Sequence, residues 1–250
     1  MSAIRIGQAR VDRCTLDEAV HRILEHATAG GAPEYVVTPN AHHVVMTADS
    51  PRFREIYDDA WLSLADGMSV VWAARLLGTP VPEKVSGSDL FPRLCELAGP
   101  DVRIFLLGGR EGAAEEAARR LQARNPNLLI AGTYSPPMGF ERDPAELERT
   151  IEKVKAARPH VLFVGLGAPK QELFMAEHRH RLGVPVSLGV GVSFEFVAGM
   201  VQRAPLWVQK AGLEWLDRIR REPRRLWKRY ATTNPRFIAI VLGQYARQTR

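Results

Sequence analysis

One carboxylate, Asp66, stands beside Gly67 at the end of an apolar run over residues 61–65. A carboxylate at a strand end can face a cleft and take the proton from an attacking hydroxyl. It can equally cap the following helix through backbone N–H groups. Thr38 and Asn40 put a hydroxyl and an amide on one turn. That pair either holds sugar hydroxyls or serves the turn itself, since Pro-Asn is a common turn pair. Gly108-Gly109 precedes a helical pattern, and so does Gly165-Leu166-Gly167-Ala168-Pro169-Lys170-Gln171-Glu172. Exposed N–H groups at a helix start attract phosphate, and glycine lets it come close. Without a ligand the same residues make tight turns. Lys170 and Gln171 fall at a helix N-terminus. Gln171, an uncharged donor and acceptor, suits a sugar or a leaving phosphate. Gly189-Val190-Gly191, running on to Phe194, forms one more such turn.

A second kind of chemistry sits near the C-terminus. Between Arg218 and Arg229 there are seven Lys or Arg residues among Leu216, Ile219, Leu226 and Trp227, with Glu222 as the acid inside that window. Positive charge beside large apolar rings fits an anionic bilayer or a lipid-linked phosphate. Arg218, Arg221, Arg225 and Lys228 recur at three- or four-residue steps, the spacing of one helical stripe, and Arg229 adjoins it. Pro223 interrupts the stripe, which predicts two short helices joined at Glu222-Pro223. A solvated face is the plain alternative for such a stripe.

The elements that must position these residues follow from periodicity. Thr15-Leu16-Asp17-Glu18 opens a helix to about Ala29, and Ser50-Pro51 opens another. Apolar runs at 35–38, 61–65, 102–107, 128–131, 160–164 and 184–188 read as strands, with helical patterns of ten or more residues between most of them. Such alternation predicts an α/β, Rossmann-like fold with a largely parallel sheet and helices on both faces. In that architecture ligands bind outside the carboxyl ends of the strands, where the polar and glycine turns fall. The alternation stops near residues 196–202. The expected organisation is therefore an α/β catalytic domain over 1–196 and a basic, aromatic helical appendage over 197–250.

Composition narrows the classes. The 250-residue chain is 46% apolar and 25% charged, with a formal net charge of +6, so it is globular and drawn to polyanions. Its two cysteines, Cys14 and Cys95, make no metal spacing and no disulfide framework, which fits a reducing cytosol. No apolar run reaches the ~20 residues that span a bilayer, so membrane contact is expected to be peripheral. The chain has no Asp-x-Asp pair, and His42-His43 and His178/His180 lack nearby acids or thiols in a ligand pattern. No metal is expected, with Lys, Arg and backbone N–H groups offsetting phosphate charge instead. A dinucleotide-dependent oxidoreductase would need a third glycine after Gly165-Leu166-Gly167, where Pro169-Lys170 stands. A basic adaptor for nucleic acid or membrane would explain the tail and leave the polar turns without a purpose.

Several segments together resemble the bacterial glycosyltransferase family named for WecG, TagA and CpsF. They are TPNAHHV (38–44), ADGMSVVWAARLLG (65–78), KVSGSDL (84–90), IFLLGG (104–109), VLFVGLGAPKQE (161–172), GVGVSFEFVAG (189–199) and the basic tail, spread over residues 35–230. The resemblance implies transfer of a sugar from a UDP-sugar to a polyprenyl-diphosphate-linked sugar at the inner face of the membrane. The sugar would be of the N-acetylmannosamine type, its uronic acid or a hexose. The products would feed teichoic acid, capsule, common antigen or exopolysaccharide. It further implies inversion at the anomeric centre without a metal, and no nucleic-acid partner. A homo-oligomer is compatible with it. By matching motifs, the base is Asp66, and Thr38, Asn40 and Gln171 position substrates. Gly67, Lys84, Gly108, Gly109, Gly165, Gly167, Lys170, Glu172, Gly189, Gly191, Phe194 and Glu195 fall on the donor side. Arg218, Arg225 and, as a lysine, Lys228 match the family's C-terminal arginines that would grip the lipid diphosphate, and Arg221 and Arg229 are expected on the same lipid-diphosphate and membrane side. Two departures stand out. Lys84 replaces the family's usual arginine and loses its bidentate fork. Val192 and Glu195 alter the usual GVGG-x-FD, which bears on the donor sugar.

Overall fold

The computed structural model describes residues 2–221 and 223–249, and the side chains of Lys210 and Arg225 fall outside that description. Along the chain the elements are β1 (Ala3–Ile6), β2 (Ala9–Asp12), α1 (Leu16–Thr28), β3 (Glu34–Val37), α2 (Ala41–Asp49), α3 (Pro51–Asp59) and β4 (Leu62–Ser63). Then come α4 (Met68–Leu76), α5 (Gly87–Leu97), β5 (Arg103–Gly108), α6 (Ala113–Arg124), β6 (Leu129–Tyr134), α7 (Pro144–Ala157) and β7 (Val161–Gly165). The last are α8 (Lys170–Leu182), β8 (Val186–Gly189), α9 (Ser193–Ala198), α10 (Leu206–Lys210), α11 (Glu214–Arg221) and α12 (Pro223–Gln248). These group into two compact units. The first comprises the residues up to Thr15, Thr38–Ser86, and those from Arg203 on; the second comprises Leu16–Val37 and Gly87–Gln202.

The second unit is the parallel α/β body that the alternation predicts. Its strands run β3-β8-β7-β5-β6, every pair parallel and flanked by helices. β5, β7 and β8 are almost wholly buried, as strands covered on both faces must be. Register places Gly108 opposite Gly165 and Val164 opposite Gly189, so three glycine turns leave adjacent strands at the same level. Asn125 locks two helices here: its Nδ2 donates to the carbonyls of Cys95 and Ala98, both at 3.0 Å, closing the end of α5.

The first unit is built around the antiparallel pair β1–β2 with α2, α4 and α12. Its core includes Ile4, Ile6, Val44, Val45, Val70, Ala74, Phe237 and Val241. Residues 41–49 form a helix, α2, that the sequence pattern does not announce. The basic segment does form two helices, α11 ending at Arg221 and α12 beginning at Pro223, but the second is not short: it is 26 residues long and carries Pro235 in its interior. An interior proline costs a helix about 3 kcal/mol. Burial of Leu226, Phe237 and Val241 offsets that at roughly 1.5–3 kcal/mol per side chain. The apolar run over 61–65 yields only the two-residue β4.

Candidate active site

In the first unit, two backbone hydrogen bonds gather the polar turns. The Asp66 N–H donates to the Pro39 carbonyl at 2.9 Å, which brings Asp66 to the Thr38–Asn40 turn. The Val85 N–H donates to the Ala65 carbonyl at 2.8 Å, which brings Lys84 and Ser86 to the same place. Thr38 is buried, and Asp66, Asn40 and Lys84 are half-buried.

Each turn has a local cause. Asn40 is the N-cap of α2: its Oδ1 accepts from the N–H groups of His42 (3.0 Å) and His43 (3.4 Å). In return the Asn40 N–H donates to His43 Nδ1 at 3.2 Å, a reciprocal box with histidine in the place usually taken by Glu or Gln. Burial holds the His43 pKa down at about 3, helped by His42 and Arg229, so the ring is neutral and can accept. After Asp66, Gly67 is the N-cap of α4 with φ +96°, a conformation that side-chain-bearing residues rarely adopt. A Cβ there would meet nothing closer than Ser69 Oγ at 3.8 Å, so glycine is required by backbone shape, not by crowding.

Lys84 does not stand alone. Its Nζ donates to Ser86 Oγ at 3.3 Å, and Arg203 Nη2 donates to the same oxygen at 3.4 Å. Arg203 Nε also reaches Glu214 Oε1 at 3.5 Å. Two cations thus converge on one buried hydroxyl, an arrangement suited to an anion with several oxygens. Arg203 and Ser86 are absent from the residues that sequence reasoning selected.

In the second unit, Gln171 is a crossbar between two glycine turns. Its Oε1 accepts from the N–H groups of Gly167 and Gly191, each at 3.1 Å. Its Nε2 donates to Glu172 Oε1 at 2.9 Å, and both side chains are buried. Gly189 is glycine for this reason: a Cβ there would lie 2.7 Å from Gln171 Nε2. A third turn joins through Gly109 N–H to the Gly165 carbonyl at 2.9 Å. Phe194 fills the space beneath, fully buried and edge-on to Phe91 at 5.2 Å. Added Cβ atoms at Gly109 and Gly165 would approach its ring to 3.0 and 2.8 Å. Phe194 therefore shapes the turns from below. Glu195 is buried; Oε1 accepts from the Arg110 N–H at 3.0 Å, and Oε2 has no hydrogen-bond partner among the described residues. Lys170 is paired with Glu141, whose carboxyl it holds below the usual range.

The tail cations are placed unequally. Arg221 and Arg220 both pair with Asp217, at 2.7 and 3.4 Å, an acid one residue before the basic run. Arg218 is half-buried, Lys228 is exposed, and Arg229 is half-buried within reach of His42 and His43. The Arg225 side chain lies outside the described residues. Trp207 and Trp227 are more than half exposed. Among the described residues no three His, Cys, Asp or Glu side chains gather as a metal set, and no helix is long and apolar enough to cross a membrane.

Residues 4–250 match the glycosyl transferase WecG/TagA/CpsF family. An N-acetylglucosaminyldiphosphoundecaprenol N-acetyl-beta-D-mannosaminyltransferase of Bacillus spizizenii is 32% identical over 209 residues, which is 83% of this chain and 78% of that protein. The Bacillus subtilis protein of the same name is 35% identical over 182 residues, 72% of this chain and 68% of the relative. One from Staphylococcus aureus is 31% identical over 196 residues, covering 78% and 73%.

Proposed function

The chain is a glycosyltransferase that belongs to the WecG/TagA/CpsF family, and we propose that it transfers N-acetylmannosamine from its UDP derivative to a polyprenyl-diphosphate-linked N-acetylglucosamine. The observation that carries this reading is the gathering of Thr38, Asn40, Asp66 and Lys84 by two backbone hydrogen bonds. Those residue types supply a base, sugar-holding groups and a cation for a diphosphate.

The chemistry is one displacement. The Asp66 carboxylate takes the proton from the acceptor hydroxyl as its oxygen bonds to the anomeric carbon of the donor. The bond from that carbon to the UDP oxygen breaks, and its electron pair leaves with UDP. Attack opposite the leaving group turns an α-linked nucleotide sugar into a β-linked product, the configuration in the relatives' name. The glycine turns of the second unit are of the kind that bind phosphate through backbone N–H groups, and Gln171 keeps two of them in register. No step here calls for a metal, because N–H groups and cations offset the charge that develops on UDP.

The acceptor brings a lipid, and the tail is suited to it. α12 has no acidic residue, Trp227 presents its ring to Lys228, and Trp207 on α10 is exposed. This supports peripheral contact with the anionic inner face of the membrane. The test is a panel of UDP-sugars with a synthetic polyprenyl-diphosphate N-acetylglucosamine, read by product mass. Addition of one N-acetylhexosamine from UDP-N-acetylmannosamine supports the reading. Transfer from only a different UDP-sugar would replace the donor, and no transfer from any would remove the proposal.

A further inference from the structure

The buried face of α12 carries Leu226, Thr233, Phe237 and Val241 at helical spacing. Three are apolar and pack as any docking face packs. Thr233 is a buried hydroxyl, and its Oγ1 lies 3.2 Å from His42 Nδ1. A buried hydroxyl needs such a partner, since leaving it unpaired costs about 1–3 kcal/mol.

His42 occupies a particular place. It lies two residues beyond Asn40, and its backbone N–H is one of the two that the Asn40 side chain caps. Pro39, one residue earlier, accepts from Asp66. His42 therefore stands in the first turn of α2, just beyond the turn that carries Thr38 and Asn40 and accepts from the Asp66 backbone. On the helix side, Arg229 precedes Thr233 by one turn and sits close enough to both histidines to depress their protonation. Farther along α12, Gln244 bonds to the backbone of Gly7 and Arg5, and Arg236 pairs with Asp49. Those bonds hold the C-terminal half of the helix. The His42–Thr233 bond holds the half that bears the basic residues.

We propose that His42 is a positioning residue: through Thr233 it fixes the register of the basic half of α12 against the Thr38–Asn40 turn, and so sets affinity for the acceptor's diphosphate. This rests on the acceptor assignment made above. A bond between two uncharged groups is enough for the task. A slip of one turn would carry Arg229 about 5.4 Å from its place, too far for a direct contact with a phosphate oxygen.

Four variants of the full chain test it: Thr233→Val, Thr233→Ser, His42→Ala and His42→Asn. Serine keeps the hydroxyl, and asparagine puts a polar atom near the position of Nδ1. Loss of the bond by Thr233→Val or His42→Ala is expected to raise the acceptor KM about tenfold, the size of one net hydrogen bond. The donor KM should stay within about twofold and kcat should change less than the acceptor KM. Thr233→Ser and His42→Asn should restore most of the loss. Equal changes in both KM values and kcat, or a Thr233→Val acceptor KM near that of the parent, would overturn the inference. Calorimetry with inorganic pyrophosphate tests it without turnover. Thr233→Val should weaken binding while Thr233→Ser does not. If the parent transfers no sugar yet shows that pyrophosphate pattern, the functional reading falls and this inference stands. If the parent binds no pyrophosphate and transfers nothing, both fall.

Discussion

The backbone N–H of Asp66 donates to the carbonyl of Pro39 at 2.9 Å, between Thr38 and Asn40. One main-chain bond thus ties the candidate base to the two residues best suited to hold a sugar. Because the bond is made by backbone atoms, substitution of any of these three side chains leaves the tie in place. Their functions can therefore be removed one at a time.

The shared hydroxyl of Ser86 gives the first prediction. Lys84 and Arg203 both donate to it, so Arg203→Ala removes one of two converging cations. We expect a loss of diphosphate affinity of about tenfold to a hundredfold, typical of one charge-assisted contact. Calorimetric titration with UDP and with a short prenyl diphosphate measures it and shows which substrate the pair serves. Unchanged affinity for both would remove Arg203 from the site.

Gly189→Ala probes the crossbar. The new Cβ would fall 2.7 Å from Gln171 Nε2, and Gln171 is fixed by bonds to Gly167, Gly191 and Glu172. Overpacking of this kind costs about 1–3 kcal/mol. Thermal melting should show the loss, and UDP affinity should fall with it as the two turns separate. A variant that melts and binds UDP like the parent would show that Gln171 does not hold the turns.

Acid should loosen the first unit earlier than exposed carboxylates alone would. Burial, then Arg229, puts the His42 pKa at about 4, and burial chiefly puts that of His43 at about 3. Both lie below the ordinary value of 6.5, so the unfolded chain binds protons first as pH falls. This contribution to stability is full above pH ~6.5 and is lost as pH drops through the folded values. Urea melts at steps from pH 7 to 4 measure the slope. His43→Gln should reduce it; an identical slope in that variant would assign the acid sensitivity elsewhere.

Much of the body was legible in the sequence because fully buried parallel strands leave apolar runs that end in glycine, as at residues 102–107 and 160–164. α2 was not legible. Its N-cap sits in a Pro-Asn turn, and the reciprocal residue of the box is His43 in place of an acid or amide. The length of α12 was hidden by Pro235, whose local cost is met by burial that only the tertiary structure reveals. Asp66, Thr38 and Asn40 could be selected because a carboxylate after an apolar run and a Thr-Pro-Asn turn are local signals. Ser86 and Arg203 lie 117 residues apart in sequence, and no local pattern joins them. Gln171 was selected as a substrate contact. Its bonds to two turns depend on the strand register, and sequence does not display that.

The most direct test compares the parent with Asp66→Asn, a change that keeps shape and removes the proton acceptor. With UDP-N-acetylmannosamine and a polyprenyl-diphosphate N-acetylglucosamine, the parent should form a β-linked product. Asp66→Asn should bind UDP within about twofold of the parent, while turnover drops by about 10²–10⁴, the usual worth of a general base. Turnover by Asp66→Asn at a rate near the parent's would contradict the assignment of Asp66 as the base.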